Sequence, residues 1–314
     1  MECGGKAAAF NSRGKAAAPA ALPPVWESGS SAAAVHNGTM KREIGFGGMP
    51  LSIQGRPPEE VGRRVLHAAI DAGVTLIDTA DVYCLDDNDI GHNERLIASV
   101  VRERKEELHV ATKAGLRRPR GSWVNEGSPK HIREACERSL RALQTEQIWL
   151  YQFHAPDPKV PFAKSVEAFA ELQREGKFRS FGLSNVSVAQ IDAAQRILPV
   201  VSVQNRLSPY FRESIEVAKE CARRGIMFLA YSPVGGGRLS KKLPKFDVLQ
   251  RIAAAHSASV HAVVIAWVRA QSESVIPIPA ARTIVHAADS ARAVSLVLHD
   301  DELRAIDETE FDRS

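Results

Sequence analysis

Short apolar runs alternate with longer segments of helical period eight times along the chain, starting at Met40. The predicted strands are Ile44 to Met49, Thr75 to Asp78, Leu108 to Thr112, Trp149 to His154, Ser180 to Leu183, Val200 to Gln204, Met227 to Tyr231 and Ser274 to Ile276. Every segment between them is long enough for a parallel crossover. Eight such repeats in about 275 residues predict one α/β domain from residue 40 to 314, a (β/α)8 TIM barrel rather than an open doubly wound sheet.

The predicted helices cover most of the segments between these strands. They are Pro58 to Ala72, Asn93 to Arg104, Lys130 to Leu143, Phe162 to Glu175, Val188 to Arg196, Arg212 to Arg224, a pair within Lys245 to Ala270, and Val285 to Val297. The acidic stretch Asp300 to Asp307 predicts one further helix at the end of the domain.

The first 39 residues contain eleven alanines and show no apolar periodicity. We therefore predict a disordered tail over residues 1–39. Its low acidity and its few basic residues resemble an organelle transit peptide, but no amphipathic helix is evident. A cytoplasmic location is the expectation, with organelle targeting by this segment left open.

Composition excludes several classes of partner. The chain is 44% hydrophobic and 25% charged, as in soluble globular proteins. The formal charge is only +4 and no run is strongly basic, which argues against nucleic acid as a partner. No stretch of eighteen apolar residues predicts a membrane span. The four cysteines form no C-x-x-C pair, so neither a zinc site nor a redox couple is expected from them.

Ionisable residues follow three successive predicted strands, where barrel enzymes carry their reacting groups. Asp78 ends the second strand with Tyr83 five residues later, Lys113 follows the third and His154 ends the fourth. Each residue alone has an ordinary structural explanation, such as a turn cap, a rim aromatic or a packing histidine. Together they predict a proton-transfer site in which Lys113, held by Asp78, lowers the pKa of Tyr83 toward neutral.

The segments D-T-A-D-V-Y, V-A-T-K and Q-F-H-A-P-D resemble the catalytic tetrad of the aldo-keto reductase family. G-L-S-N from Gly182, S-V-Q-N, A-Y-S-P-V-G from Ala230 and I-P-A-A-R follow in that family's order, so the likeness spans Ile44 to Asp307. The resemblance implies reduction of an aldehyde or ketone by NADPH, with Tyr83 as the general acid. It also implies that Asp78 and Lys113 tune Tyr83 and that His154 orients a small-molecule carbonyl substrate.

The same resemblance implies a set of cofactor-binding residues. Hydrogen bonds to the nicotinamide carboxamide would come from Ser184, Asn185 and Gln204, and the nicotinamide ring would stack on Tyr231. The pyrophosphate would be wrapped by Ser232, Val234 and Gly235, and the 2'-phosphate would be bound by Arg282. Where the family often carries an acid and an asparagine for the adenosine, this chain has Asp289 and Ser290, which leaves NADH use possible.

Some features depart from that pattern. Cys84 follows Tyr83 and is interpreted as a packing residue rather than a redox-active thiol. The acidic segment Leu85 to His92 lacks the spacing of a calcium loop, so no metal is predicted there. Relatives often begin with a hairpin that plugs the barrel, and no hairpin is evident before Ile44. The connection Gly235 to Pro244 is short and predicts an open pocket, for which Met49, Trp123 and Phe211 are candidate lining residues.

Two other functions remain open at this stage. A regulatory or redox-sensing subunit of the kind that the potassium-channel β subunits represent would bind the cofactor and turn over slowly. A barrel aldolase or isomerase would use Lys113 as a Schiff-base amine, which requires that the lysine be free of Asp78. The sequence names neither the carbonyl substrate nor the oligomeric state.

Overall fold

A computed structural model of the protein describes residues 43–314, so the predicted tail at 1–39 lies outside the described residues. Eight parallel strands form one sheet, and a separate antiparallel hairpin follows the third strand. The barrel strands are β1 (Phe46–Gly47), β2 (Leu76–Asp78), β3 (His109–Ala114), β6 (Ile148–Phe153), β7 (Phe178–Ser184), β8 (Ser202–Arg206), β9 (Met227–Tyr231) and β10 (Val275–Ile278). The hairpin consists of β4 (Leu116–Arg117) and β5 (Val124–Asn125).

Helices connect the strands and surround them. They are α1 (Glu59–Asp71), α2 (His92–Val101), α3 (Pro129–Leu143), α4 (Phe162–Arg174), α5 (Val188–Gln195), α6 (Ile215–Arg223), α7 (Gly237–Ser240), α8 (Asp247–Ala255), α9 (Val260–Ala270), α10 (Ile284–Arg292) and α11 (Asp300–Asp307). No single helix in residues 43–314 has the length and apolar composition to cross a membrane. The helices α8 and α9 meet these two criteria only when taken together, and the pair is bent by 93°.

Backbone hydrogen bonds bring the last barrel strand against the first. The amides of Gly45 and Gly47 donate to the carbonyl oxygens of Pro277 and Pro279, both at 2.9 Å. Neighbouring strands pair in parallel register from β1 round to β10. This arrangement confirms the predicted (β/α)8 barrel, in which all strands end at one mouth.

The strands read as continuous apolar runs because both of their faces are buried. One set of side chains fills the barrel, and it comprises Leu76, Ala111, Leu150, Met227, Leu229, Ile276 and Ile278. The opposite faces pack against the helices, where Trp267 of α9 is the largest fully buried side chain. At the amino-terminal ends of the strands, the rings of His109 and Trp149 stack at 4.4 Å, which covers part of the barrel bottom.

The predicted secondary structure differs from the observed one in the first strand and in the connections that follow β3 and β9. The first strand has two residues instead of six, because the chain turns into a 3-10 helix at Met49–Leu51. The predicted loop after β9 contains α7 and a further 3-10 turn at Leu243–Lys245. The sequence did not predict the β4–β5 hairpin, whose strands have only two residues each.

The residues after α11 pack against the loops that follow β8 and β9. Phe311 contacts the rings of Tyr210 and Phe246, with centroid distances of 5.5 and 4.5 Å. Arg212 donates to the carbonyl oxygens of Ile306, Asp307 and Thr309. The C-terminal segment is therefore part of the wall beside the β9 loop.

Candidate active site

The four predicted catalytic residues lie together at the carboxyl ends of β2, β3 and β6. Lys113 Nζ donates to Asp78 Oδ2 at 2.7 Å, to the Thr79 carbonyl oxygen at 2.8 Å and to Tyr83 Oη at 2.9 Å. The ring of His154 meets the ring of Tyr83 edge-on, with centroids 5.7 Å apart. All four side chains are buried, so their hydrogen bonds act in a medium of low dielectric constant.

Lys113 is not free for Schiff-base chemistry. An ammonium group has three N–H donors, and in this structure each has an oxygen acceptor within 2.9 Å. Burial lowers the pKa of Lys113, while the adjoining Asp78 carboxylate opposes that shift. This geometry argues against the aldolase or isomerase hypothesis, which needs an unengaged amine.

The predicted lowering of the Tyr83 pKa is wrong for this structure. Burial raises the pKa of Tyr83 well above its ordinary value of 10.0, and the charge of Asp78 raises it further. Lys113 alone would lower this pKa, but the fold also removes the phenol from water and places the Asp78 carboxylate nearby, and both effects raise it. Tyr83 is consequently protonated at neutral pH and can donate a proton.

His154 is neutral in this environment. Burial lowers its pKa well below 6.5, and the positive charge of Lys113 lowers it further. Its Nδ1 is buried and has no hydrogen-bond partner among the described residues. A neutral imidazole beside the phenol can hydrogen-bond a substrate oxygen without adding a charge to the mouth.

Two glutamine amides contact the second carboxylate oxygen of Asp78. Gln204 Nε2 donates to Asp78 Oδ1 at 2.7 Å, and Gln152 Nε2 lies 3.4 Å from the same atom. Gln204 thus supports the tetrad in this structure, whereas the resemblance assigns it to the nicotinamide. Sequence reasoning missed Gln152, although its place two residues before His154 on one strand puts both side chains on the same face.

The candidate cofactor residues at the ends of β7 to β9 form a connected group. Ser184 pairs in register with Gln204, and Asn185 Nδ2 donates to Ser184 Oγ and to the carbonyl oxygen of His154. Tyr231 Oη donates to Asn185 Oδ1 at 2.8 Å. Asn185 has a φ of 59°, a left-handed conformation that asparagine adopts more readily than most residues.

The loop that follows Tyr231 contains the other predicted cofactor residues. Ser232 and Gly235 have positive φ angles. Val234 packs against the buried apolar cluster that lies between the barrel strands and the helices. A Cβ at Gly235 would lie 2.7 Å from the Tyr210 ring, so only glycine fits there. Nothing lies within 4 Å of a Cβ built on Gly236 or Gly237, which leaves their backbone open to a ligand.

Arg282 lies after β10, one residue before Thr283, which caps α10. Its side chain is exposed and donates to the carbonyl oxygens of Pro50 and Gln54, at 3.1 and 2.9 Å. The predicted phosphate ligand therefore also links the β10 loop to the β1 loop. Asp289 Oδ2 accepts a hydrogen bond from Ser259, the cap of α9, at 2.6 Å.

The unpredicted β4–β5 hairpin brings Trp123 to the mouth. The Trp123 ring lies edge-on to the Tyr83 ring with centroids 6.2 Å apart, and the Arg118 guanidinium lies over the Trp123 ring, 3.7 Å from its centroid. Met49 packs against the buried apolar cluster that contains Tyr83 and Leu116. Trp123 and Met49 thus adjoin Tyr83, whereas Phe211 lies beside Arg206 and the C-terminal Arg313.

Cys84 and the acidic segment after it have structural partners. Burial raises the pKa of Cys84 to about 12, which keeps the thiol protonated and poorly reactive. Asp86 caps the turn at Asn88, and Asp89 accepts from Arg56 at 2.5 Å. These contacts are consistent with the packing interpretation of Cys84.

A buried carboxyl pair lies behind the tetrad and was missed by the sequence reasoning. Asp81, in the D-T-A-D-V-Y segment, is fully buried, and neither carboxylate oxygen has a hydrogen-bond partner within the described chain. Arg138 approaches it at 3.6 Å. Glu94 is also buried and accepts from Thr112 at 2.6 Å. Burial, reinforced by Glu94, raises the pKa of Asp81 to about 8.

This pKa predicts that the contribution of Asp81 to stability falls as pH rises. Asp81 holds its proton in the folded state up to about pH 8 but loses it near the ordinary value of 3.8 when unfolded. The folded state thus binds more protons between these values, so the free energy of unfolding falls across that range. Asp81→Asn should flatten the decline and raise stability at pH 8 by at least about 1.4 kcal/mol, the equivalent of one pKa unit.

Urea unfolding at a series of pH values measures this effect. Asp87→Asn is the matched control, because that side chain is 41% exposed. An Asp81→Asn profile that runs parallel to the wild-type profile between pH 5 and about pH 8 would contradict the assignment.

Comparison with known proteins identifies the family. The model of the aldo/keto reductase family matches residues 43–310, which is most of the chain. The chain belongs to this family. It is 31% identical over 296 residues to the probable aldo-keto reductase 1 of Glycine max, with 84% of each protein covered. This finding confirms the family resemblance and makes the protein an oxidoreductase of carbonyl compounds.

Solved structures of this family share the fold. A glycerol dehydrogenase from Gluconobacter oxydans superposes with a TM-score of 0.75 at 27% identity, covering 86% of this chain and 94% of its own. An aldo-keto reductase from Klebsiella pneumoniae, solved in complex with NADPH, gives a TM-score of 0.70 at 27% identity, covering 84% and 89%. The barrel of this chain therefore has the same fold as these solved aldo-keto reductases.

Proposed function

We propose that this aldo-keto reductase reduces an aldehyde or ketone to an alcohol with NADPH, and that Tyr83 supplies the proton. The observation that carries the proposal is the position of the buried Tyr83 hydroxyl, 2.9 Å from Lys113 Nζ, with the Tyr83 ring edge-on to the ring of His154. NADPH, when bound, supplies the hydride. The protein groups place the carbonyl and handle the proton.

Each tetrad side chain has a distinct role in this proposal. His154 orients the carbonyl oxygen toward the Tyr83 hydroxyl, which donates its proton as negative charge develops on that oxygen. Lys113 stabilises the resulting phenolate through the existing 2.9 Å contact. Asp78 keeps Lys113 charged and in place, and the amide of Gln204 fixes the orientation of that carboxylate.

The residues present fit a nicotinamide dinucleotide. Ser184, Asn185 and Tyr231 place hydroxyl and amide groups at the mouth beside the tetrad, where a carboxamide needs donors and acceptors. The open backbone at Gly236 and Gly237 suits a pyrophosphate. Arg282 beside the amino terminus of α10 suits a 2'-phosphate, which favours NADPH over NADH.

Arg282→Ala should reduce the preference for NADPH. A charge-assisted hydrogen bond contributes about 1.5–3 kcal/mol, so kcat/KM with NADPH should fall about 10- to 100-fold. The value with NADH should change much less, because NADH lacks the 2'-phosphate. Steady-state kinetics with both cofactors measures the ratio, and Arg292→Ala, an exposed arginine at the end of α10, is the control. Equal losses with both cofactors would indicate that Arg282 acts only on loop structure.

Turnover separates this function from a regulatory one. The purified protein should oxidise NADPH continuously with at least one member of a panel of sugar, aromatic and small dicarbonyl aldehydes. A protein that retains the dinucleotide but gives no sustained oxidation with the panel would favour a redox-sensing role. A protein that binds neither NADPH nor NADH could be neither a reductase nor a redox-sensing subunit of this kind.

A further inference from the structure

Two imidazoles and a carboxylate meet on the outer surface of the barrel, where α8 ends and α11 begins. His256 is the C-terminal cap of α8, His299 is the N-terminal cap of α11, and Glu302 lies in the first turn of α11. One donor atom from each side chain lies within 4.8 Å of the other two. Within residues 43–314 no other three histidine, cysteine or acidic side chains come so close together.

We propose that His256, His299 and Glu302 form a zinc-binding site that joins α8 to α11. Two histidines and one glutamate are a common ligand set for Zn²⁺, with a water molecule in the fourth position. Zinc bonds of about 2.0–2.1 Å require donor atoms about 3.4 Å apart, so small side-chain rotations close the site. The proposal is independent of the carbonyl chemistry, because none of the three residues belongs to the tetrad or the candidate cofactor group.

The contacts already present bring the ligands together. His256 Nε2 lies 2.8 and 2.9 Å from the two oxygens of Glu302, and the two imidazole rings are 5.8 Å apart. The His256 and Glu302 side chains are 18% and 13% exposed, so both are largely shielded while ions can still enter. A metal would replace the proton that now lies between His256 and Glu302, and that proton moves to solvent or to the other ring nitrogen.

The surrounding charges also suit a cation. The carbonyl end of α8 carries a partial negative charge, which offsets the partial positive charge at the start of α11. Asp300 and Asp301 add two exposed carboxylates in the first turn of α11. The site would fix the start of a helix whose other end is held by the Trp267–Asp307 hydrogen bond and by Arg212.

Variants can remove the ligands while preserving the helix cap. Glu302 Oε2 accepts a hydrogen bond from the backbone amide of His299 at 2.8 Å, which caps the first turn of α11. His299→Ser removes the imidazole but keeps a preferred cap residue. Glu302→Gln removes the charge but keeps an oxygen for the same cap. Neither substitution should unfold α11.

Zinc titration of the full chain, treated first with a chelator, tests the proposal by calorimetry and thermal unfolding. Wild type should bind one Zn²⁺ at this site at micromolar free zinc, and the ion should raise Tm by about 2–4 °C or more. His299→Ser and Glu302→Gln should each weaken that binding by at least about 10-fold and remove the Tm shift. His286→Ser, an exposed histidine on α10, is the control and should behave as wild type.

Zinc binding and Tm shifts that are the same in wild type and in both ligand variants would place the ion elsewhere. A wild-type protein that binds no zinc under these conditions would exclude the site. Magnesium serves as a second comparison, because this hard cation prefers oxygen donors and should produce no shift.

Discussion

Tyr83→Phe should lower kcat for carbonyl reduction by about 100- to 10000-fold, the contribution of a positioned general acid. The substitution removes one hydroxyl and keeps the ring that packs against Trp123 and His154. Cofactor affinity should stay near the wild-type value, because the candidate cofactor residues lie on β7 to β10. Fluorescence titration with NADPH and steady-state kinetics with a reactive aldehyde measure the two quantities separately.

Tyr151→Phe is the matched control for this experiment. Tyr151 is also fully buried, but its ring points into the outer core against Phe169 and Phe178. The Tyr151→Phe variant should retain wild-type turnover. If Tyr83→Phe also retained wild-type turnover, another group would be the acid and the proposed mechanism would be wrong.

Lys113→Met should destabilise the fold by about 3–5 kcal/mol and also remove activity. The substitution leaves the Asp78 carboxylate buried without its ammonium partner, and an uncompensated buried charge carries a cost of this size. It also removes the group 2.9 Å from the Tyr83 hydroxyl. Urea unfolding and steady-state kinetics measure the two losses.

A double variant separates the structural effect from the catalytic one. In Asp78→Asn/Lys113→Met neither charge is present, so most of the lost stability should return, while activity should stay low because the phenolate has no cation beside it. Lys130→Met, at a side chain that is 85% exposed, should change neither quantity. Recovery of activity in the double variant would show that Lys113 serves only to compensate Asp78.

The barrel and the tetrad could be predicted because short stretches of sequence indicate each strand and the residue that ends it. Each buried strand is a continuous apolar run, and parallel strands end at one face, so residues that end successive runs must meet. Asp78, Lys113 and His154 were placed in this way, and Tyr83 was placed by its distance along the chain from Asp78.

The remaining features depend on contacts that no local pattern records. The hairpin that carries Trp123 has strands too short to show alternation. The Tyr83 pKa depends on the balance between burial, Asp78 and Lys113, and a sequence gives none of those magnitudes. The approach of His256 to His299 and Glu302 likewise requires the packing of α8 against α11.

The packing of Phe311 against Tyr210 and Phe246 has a consequence for biosynthesis. Every barrel strand precedes Phe311 in the chain, so the ribosome translates the whole sheet before this ring can pack beside the β9 loop. A nascent chain could assemble its sheet during elongation, but the pocket wall would close only after residue 311 had left the exit tunnel. Completion of this wall should therefore be one of the late steps of folding.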